Sequence, residues 1–163
     1  LMKPMTTSNK HIGLKKSDLN KVIESLQELL ADYQVYYANV RGLHWNVKGP
    51  NFFVLHLQFE KLYLDAAKKV DQLAERILAL GGTPESRFSK YLSQAHLKET
   101  GEISDAKKAI QTILESLNHF IEMERNAIDV AERAEDEGTA DLLTAFLQDQ
   151  EQLVWMFMAC EAR

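Results

Sequence analysis

Cysteine, proline and glycine are the scarce residues of this 163-residue chain. Cys160 stands alone, which excludes an intrachain disulfide framework and a cysteine-rich zinc site. A single thiol near a chain end is most simply a small buried or half-buried side chain. Three prolines and seven glycines leave little material for turns. Nearly all of them fall between long periodic stretches, so the chain reads as all-helical. No apolar run approaches the length that spans a bilayer, which argues against a membrane partner. Residues 1–21 lack the apolar centre of a secretory signal, so a cytoplasmic location is expected.

The length fits one domain, and a hydrophobic fraction of 45% is enough for a core. The formal net charge of −5 is unevenly spread. Residues 1–21 carry five lysines against Asp18, a balance of +4, while the remainder carries 14 basic and 23 acidic residues, a balance of −9. An acidic body attracts cations and repels nucleic acid, and a short basic arm does the opposite.

Residues 1–16 show no period and read as a flexible basic arm; residues 17–163 read as the folded domain. Ser17 and Asp18 offer a helix cap, and apolar residues from Val22 to Leu43 recur at helical spacing until Gly49-Pro50 stops the first helix. Asn51 offers a cap for a second helix to about residue 80, ended by Gly81-Gly82. A long connection, 83–103, has room for a short helix between Arg87 and Leu97. Ser104 is a candidate cap for a third helix to about residue 137. Gly138 breaks it, and Thr139 caps a fourth. Short links join antiparallel neighbours, whereas the long one can cross from end to end. The expected fold is therefore an all-α, ferritin-like four-helix bundle with a short helix in the connection between its second and third long helices.

The second helix carries more than a core stripe. At 100° per residue, Phe52, Leu55, Phe59, Leu62, Ala66, Val70, Leu73 and Ile77 share one arc. Lys61, Asp65, Lys69, Gln72 and Arg76 are expected to face water. A further arc mixes His56, Glu60, Asp71 and Glu75 with Phe53, Leu57, Leu64, Ala67, Ala74 and Leu78. A helix with one core needs no second apolar arc, so this one suggests an interface with another subunit. His56 and Glu60 are four residues apart and meet on one face, as do Asp71 and Glu75. His56 and Asp71 are separated by roughly 22 Å at 1.5 Å per residue, too far to share a metal within one chain. Antiparallel pairing of two such helices about a two-fold axis brings the His56/Glu60 end of one over the Asp71/Glu75 end of the other. His44 can lie beside the His56 end. Two imidazoles and three carboxylates suit iron, manganese or zinc more than copper(I).

Each piece alone has an ordinary reading. A histidine on a semi-apolar face is usually a packed interface residue, and Asp71 with Glu75 is usually a solvated face. Trp45, Phe52, Phe53, Phe59 and Trp155 are most simply packing. The metal reading rests on their combination on one arc, at a separation that only pairing can use. Glu-x-x-His, which di-iron centres inside a single bundle use on two helices, does not occur in the chain, so such a centre is disfavoured.

The stretch from His44 through Trp45, Asn46, Val47, Lys48, Gly49, Pro50, Asn51 and Phe52 to Phe53, continued by His56 to Tyr63, resembles the first signature of the Dps family, the mini-ferritins of bacteria and archaea. Asp71 to Gly82 resembles its second, and the similarity extends over residues 17–160. The resemblance implies a homo-oligomer, a hollow dodecamer with tetrahedral symmetry and a mineral cavity. It implies a di-iron-type ferroxidase centre at each two-fold interface, handling Fe²⁺ and Fe³⁺, with hydrogen peroxide preferred to dioxygen. Its catalytic and metal ligands carry over to His44, His56 and Glu60 of one subunit and Asp71 and Glu75 of another. Glu60 stands where many members have Asp. The family's acidic three-fold pore matches the region of Asp136, Glu137 and Asp141, with Gly138 where some members have another acid. Trp45 either donates an electron or walls the site. Some members bind DNA through a lysine-rich arm, so Lys3, Lys10, Lys15 and Lys16 make DNA a candidate partner. The alternative function is a DNA-compacting nucleoid protein with little iron chemistry.

Overall fold

The computed structural model describes residues 11–162. Among the described residues there are five α-helices: α1 (Lys16–Asn46), α2 (Phe52–Ala79), α3 (Phe88–Gln94), α4 (Ala106–Arg133) and α5 (Glu137–Glu161). Four are long and α3 is the short helix in the connection, as the sequence led us to expect. α1 packs against α2, and α4 against α5, while α1 also contacts α3 and α4. Among the described residues no helix is long and apolar enough to cross a membrane. Of the expected arm, residues 1–10 lie outside the described residues, and α1 already begins at Lys16.

The connection crosses the bundle because α1 holds it at successive points. Gly82 sits so close to Ile23, near the start of α1, that a Cβ there would come within 3.1 Å of the Ile23 Cγ2 atom. Gln27 donates to the Thr83 carbonyl at 2.7 Å and accepts from the Glu85 amide at 3.1 Å. Asn39 donates to the Lys98 carbonyl at 2.9 Å and accepts from the Thr100 amide at 3.1 Å. The Lys48 amide, just beyond α1, then donates to the Ser104 carbonyl at 2.9 Å. Each polar side chain satisfies backbone groups that the irregular segment cannot satisfy itself.

The helix caps differ in part from expectation. Ser17 does not cap α1: Lys15 occupies that position without a side-chain bond, and the Ser17 hydroxyl donates to Asp18 instead. Asn51 holds the cap position of α2 but makes no capping bond. Asp105, rather than Ser104, caps α4 by accepting from the Lys108 amide at 2.7 Å. Asp136, rather than Thr139, caps α5, accepting from the Thr139 amide at 3.1 Å and its hydroxyl at 2.6 Å. Gly138 is no breaker. The turn is made by Glu135 at φ 56°, and Gly138 lies inside α5, where a Cβ would meet the Arg76 guanidinium at 2.8 Å.

Leu19, Leu26, Leu29 and Leu43 of α1, Phe59, Leu73 and Ile77 of α2, Ile113 and Phe120 of α4 and Leu143 of α5 are all fully buried. Two corrections concern α2 and the chain end. Lys69, expected in water, is 3% exposed, its ammonium paired with Asp65 at 2.5 Å and lying 5.3 Å above the Phe146 ring. A long aliphatic stem and two carboxylate neighbours, Asp65 and Asp149, make that burial tolerable. Cys160, expected buried or half-buried, is exposed in the last turn of α5.

Candidate metal centres

The end of α1 and the start of α2 are joined by five residues, so His44 and His56 are forced together. Their rings stack with centroids 3.8 Å apart and planes 16° from parallel. His44 Nδ1 lies 2.7 Å from the His56 carbonyl oxygen, and His56 Nδ1 lies 2.8 Å from the His44 carbonyl oxygen. A carbonyl only accepts, so both Nδ1 atoms carry the proton. In the neutral rings each Nε2 then holds a free lone pair, the state a metal requires. Tyr63 packs edge-on against His44 and Phe52 stacks on His56, so each ring of the pair has an aromatic neighbour.

The three carboxylates of the predicted set do not join these rings within one chain. Glu60 is half-buried one turn along α2, and Asp71 and Glu75 are exposed further down the same helix. On the same face Phe53, Leu57, Leu64 and Leu78 are exposed, Phe53 by 84%, and Trp45 by 63%. A single subunit thus presents two preorganised imidazoles, a remote acid pair and an uncovered apolar strip.

A second group was not foreseen from the sequence. Among the described residues, Asp32, His96 and His119 form a group whose ligand atoms all lie within 4.8 Å of one another. Asp32 is completely buried on α1. Its Oδ1 accepts from the His96 and Leu97 amides at 2.7 and 2.8 Å. Its Oδ2 lies 2.9 Å from His119 Nε2 and 3.4 Å from His96 Nδ1. Burial pushes the Asp32 carboxyl up, but the His119 bond and the Leu97 and His96 amides outweigh it, and its pKa lies below the usual carboxylate value. The signal in the sequence was slight: Asp32 sits at a core position of an apolar helix, where a charge needs partners.

The centre of the bundle holds a third polar group, of different character. Tyr33 donates to Glu124 at 2.7 Å, and Gln150 donates to both Glu124 and Tyr33. Burial raises the Glu124 carboxyl to about 7, assisted by Asp149 and opposed by the Tyr33 and Gln150 bonds and by Lys69. With Lys69 buried nearby and no histidine in this network, the group is a hydrogen-bonded core network rather than a metal cage.

The acidic turn is also corrected in one respect. Glu137 and Asp141 are exposed, but Asp136 is 1% exposed and bound to Arg76 at 2.6 Å. Its carboxylate is committed to that ion pair and to capping α5, so it is not free to line a pore.

A ferritin-like domain family matches residues 23–160. The DNA protection during starvation protein of Porphyromonas gingivalis is 50% identical over 147 residues, covering 90% of this chain and 92% of its own. The crystal structure of a Dps protein from Vibrio cholerae O1, described as a member of a broad superfamily of ferritin-like diiron-carboxylate proteins, superposes with a TM-score of 0.92 at 38% identity. It covers 96% of this chain and 99% of its own. The chain belongs to the ferritin-like family, among the Dps proteins. A Dps protein from Bacillus brevis is similar as well, with a TM-score of 0.88 at 36% identity over 91% of this chain and all of its own.

Proposed function

We propose that this Dps chain is an iron-oxidising, iron-storing mini-ferritin whose ferroxidase centre is completed between two subunits. The observation that carries the reading is the His44/His56 pair. Its Nε2 atoms are preset as ligands, beside an uncovered apolar strip, while Asp71 and Glu75 are stranded on the same helix. Antiparallel packing of two α2 helices would cover that strip and bring the acids of one copy to the imidazoles of the other. Asp71 and Glu75 would hold one Fe²⁺ with His44 of the mate; His56 and Glu60 would hold or orient a weaker second. Mixed imidazole and carboxylate ligands fit Fe²⁺ with positions left for an oxidant.

Two ferrous ions give one electron each to a hydrogen peroxide, whose O–O bond breaks to form two waters with the uptake of two protons. Dioxygen is the slower oxidant in this reading. Ferric product then hydrolyses in the cavity of the assembly, releasing protons and consuming a Fenton reagent together with its partner. The assembly is a homo-oligomer, in this reading a dodecamer in the cytoplasm. Fe²⁺ enters past Glu137 and Asp141, whose exposed carboxylates focus cations.

Stopped-flow absorbance after mixing apo protein with Fe²⁺ and peroxide tests the reading. Changes that only disturb the partners of a metal ligand cost about 10–100-fold, so the Asp71→Ala, Glu75→Ala double variant should lose at least that. Iron oxidation at the parent rate would overturn the assignment.

A further inference from the structure

We infer that Asp32, His96 and His119 form a mononuclear site for a divalent first-row transition metal, complete within one subunit and independent of the paired centre. Three features separate this group from a chance cluster. Its ligands come from three parts of the chain that the fold must bring together: α1, the segment after α3, and α4. One oxygen of Asp32 is fixed by two backbone amides, so the other is aimed, and two imidazole nitrogens converge on it. That amide anchoring is the outer support that metal carboxylates ordinarily have. Finally, the group borders solvent: Asp32 is fully buried, but the His119 side chain is 25% exposed and that of His96 56%.

The donor set selects the ligand class. Two imidazoles and one carboxylate are the three-ligand pattern that leaves further positions to water, as in open zinc sites and in non-haem iron sites. Calcium and magnesium demand more oxygen ligands than this pocket offers. Zn²⁺, Co²⁺ and Fe²⁺ are therefore the expected occupants. Bound there, the ion replaces the proton that Asp32 and His119 now share and ties the crossing connection to both α1 and α4.

The test silences the paired centre and then asks what remains. In the assembled His56→Ala, Asp71→Ala, Glu75→Ala protein, Co²⁺ titration followed by visible absorption and calorimetry should show one site per subunit with the d–d bands of nitrogen ligation. Adding His96→Gln and His119→Gln, which keep Asp32 and both amide bonds, should abolish those bands. Saturating Zn²⁺ should also raise the melting temperature of the first protein and leave that of the second unchanged. Equal Co²⁺ binding by both proteins, or none by the first, reduces the group to a hydrogen-bonded staple and overturns the inference. Failure here leaves iron oxidation by the parent untouched, so it is distinguishable from failure of the paired centre.

Discussion

The chain carries two histidine pairs, and they are built in opposite ways. His44 and His56 take their order from backbone carbonyls, keep their Nε2 lone pairs and bond no carboxylate among the described residues of their own subunit. His96 and His119 converge on a carboxylate that their own subunit already buries. In the proposed function the first arrangement makes chemistry conditional on assembly, because Asp71 and Glu75 of its own subunit lie too far along α2 to join the imidazoles. The second gathers all its candidate ligands within the folded monomer and ties them to the crossing connection. One fold thus holds an imidazole pair bonded only to carbonyls and, separately, a buried carboxylate that anchors the crossing connection.

The largest effect should come from breaking the partner face. Phe53→Asp with Leu57→Glu places charges on residues that are 84% and 48% exposed in the single subunit and replaces no ligand of either cluster. Light scattering should report dissociation, and iron oxidation should fall with it, while Co²⁺ binding by the Asp32 group persists. A stable monomer with full ferroxidase activity would refute the split centre.

Next in size is the stability cost at Asp32. Asp32→Ala strands the buried amides of His96 and Leu97 and leaves a hole at a fully buried position. At roughly 1–3 kcal/mol for each orphaned group, urea unfolding should show a loss of about 4 kcal/mol. Asp71→Ala, on an exposed position, should change stability by less than about 0.5 kcal/mol while impairing oxidation. Similar stability losses for the two would erase the contrast between the regions.

The core network gives a smaller, pH-dependent effect. Glu124 has a folded pKa of about 7, above the ordinary value of 4.5, so the native state binds its proton more tightly than the unfolded chain does. Its contribution is therefore fully favourable below about pH 4.5 and is lost as pH rises through about 7. The full shift corresponds to about 3 kcal/mol at 1.36 kcal/mol per unit. Glu124→Gln, neutral at every pH, should melt increasingly above the parent between pH 5 and 8 at fixed protein concentration. A constant difference in scanning calorimetry would show that Glu124 does not titrate in this range.

The smallest effect expected is at the arm. Deleting residues 1–16 should leave iron oxidation unchanged and remove any gel shift of DNA at low salt, because the remainder of the chain carries a balance of −9. A shift that survives the deletion would place DNA binding on the bundle instead.

Helical periodicity, the Gly81-Gly82 stop and the long link between the second and third long helices made the bundle legible, since these depend on local geometry and chain length alone. The spacing of His56, Glu60, Asp71 and Glu75 on α2 showed that these four cannot meet within one chain, and the proposed paired centre is built on that separation. The caps were less legible: Ser104 and Asp105 are both good capping residues, and Asp105 takes the role by bonding Lys108. Lys69 and Asp136 were misplaced because a charged side chain reads as solvated until its partners, Asp65 and Arg76, are known.

What the sequence by itself determined is the all-α bundle, its crossing link and the distance that keeps His56 and Asp71 apart on one helix, each set by periodicity and reach along a helix. Only the tertiary structure decided the lone-pair state of His44 and His56, the commitment of Asp136 to Arg76 and the meeting of Asp32 with His96 and His119. Those three depend on contacts between residues 12, 60, 64 and 87 positions apart, and such contacts exist only after the chain has packed.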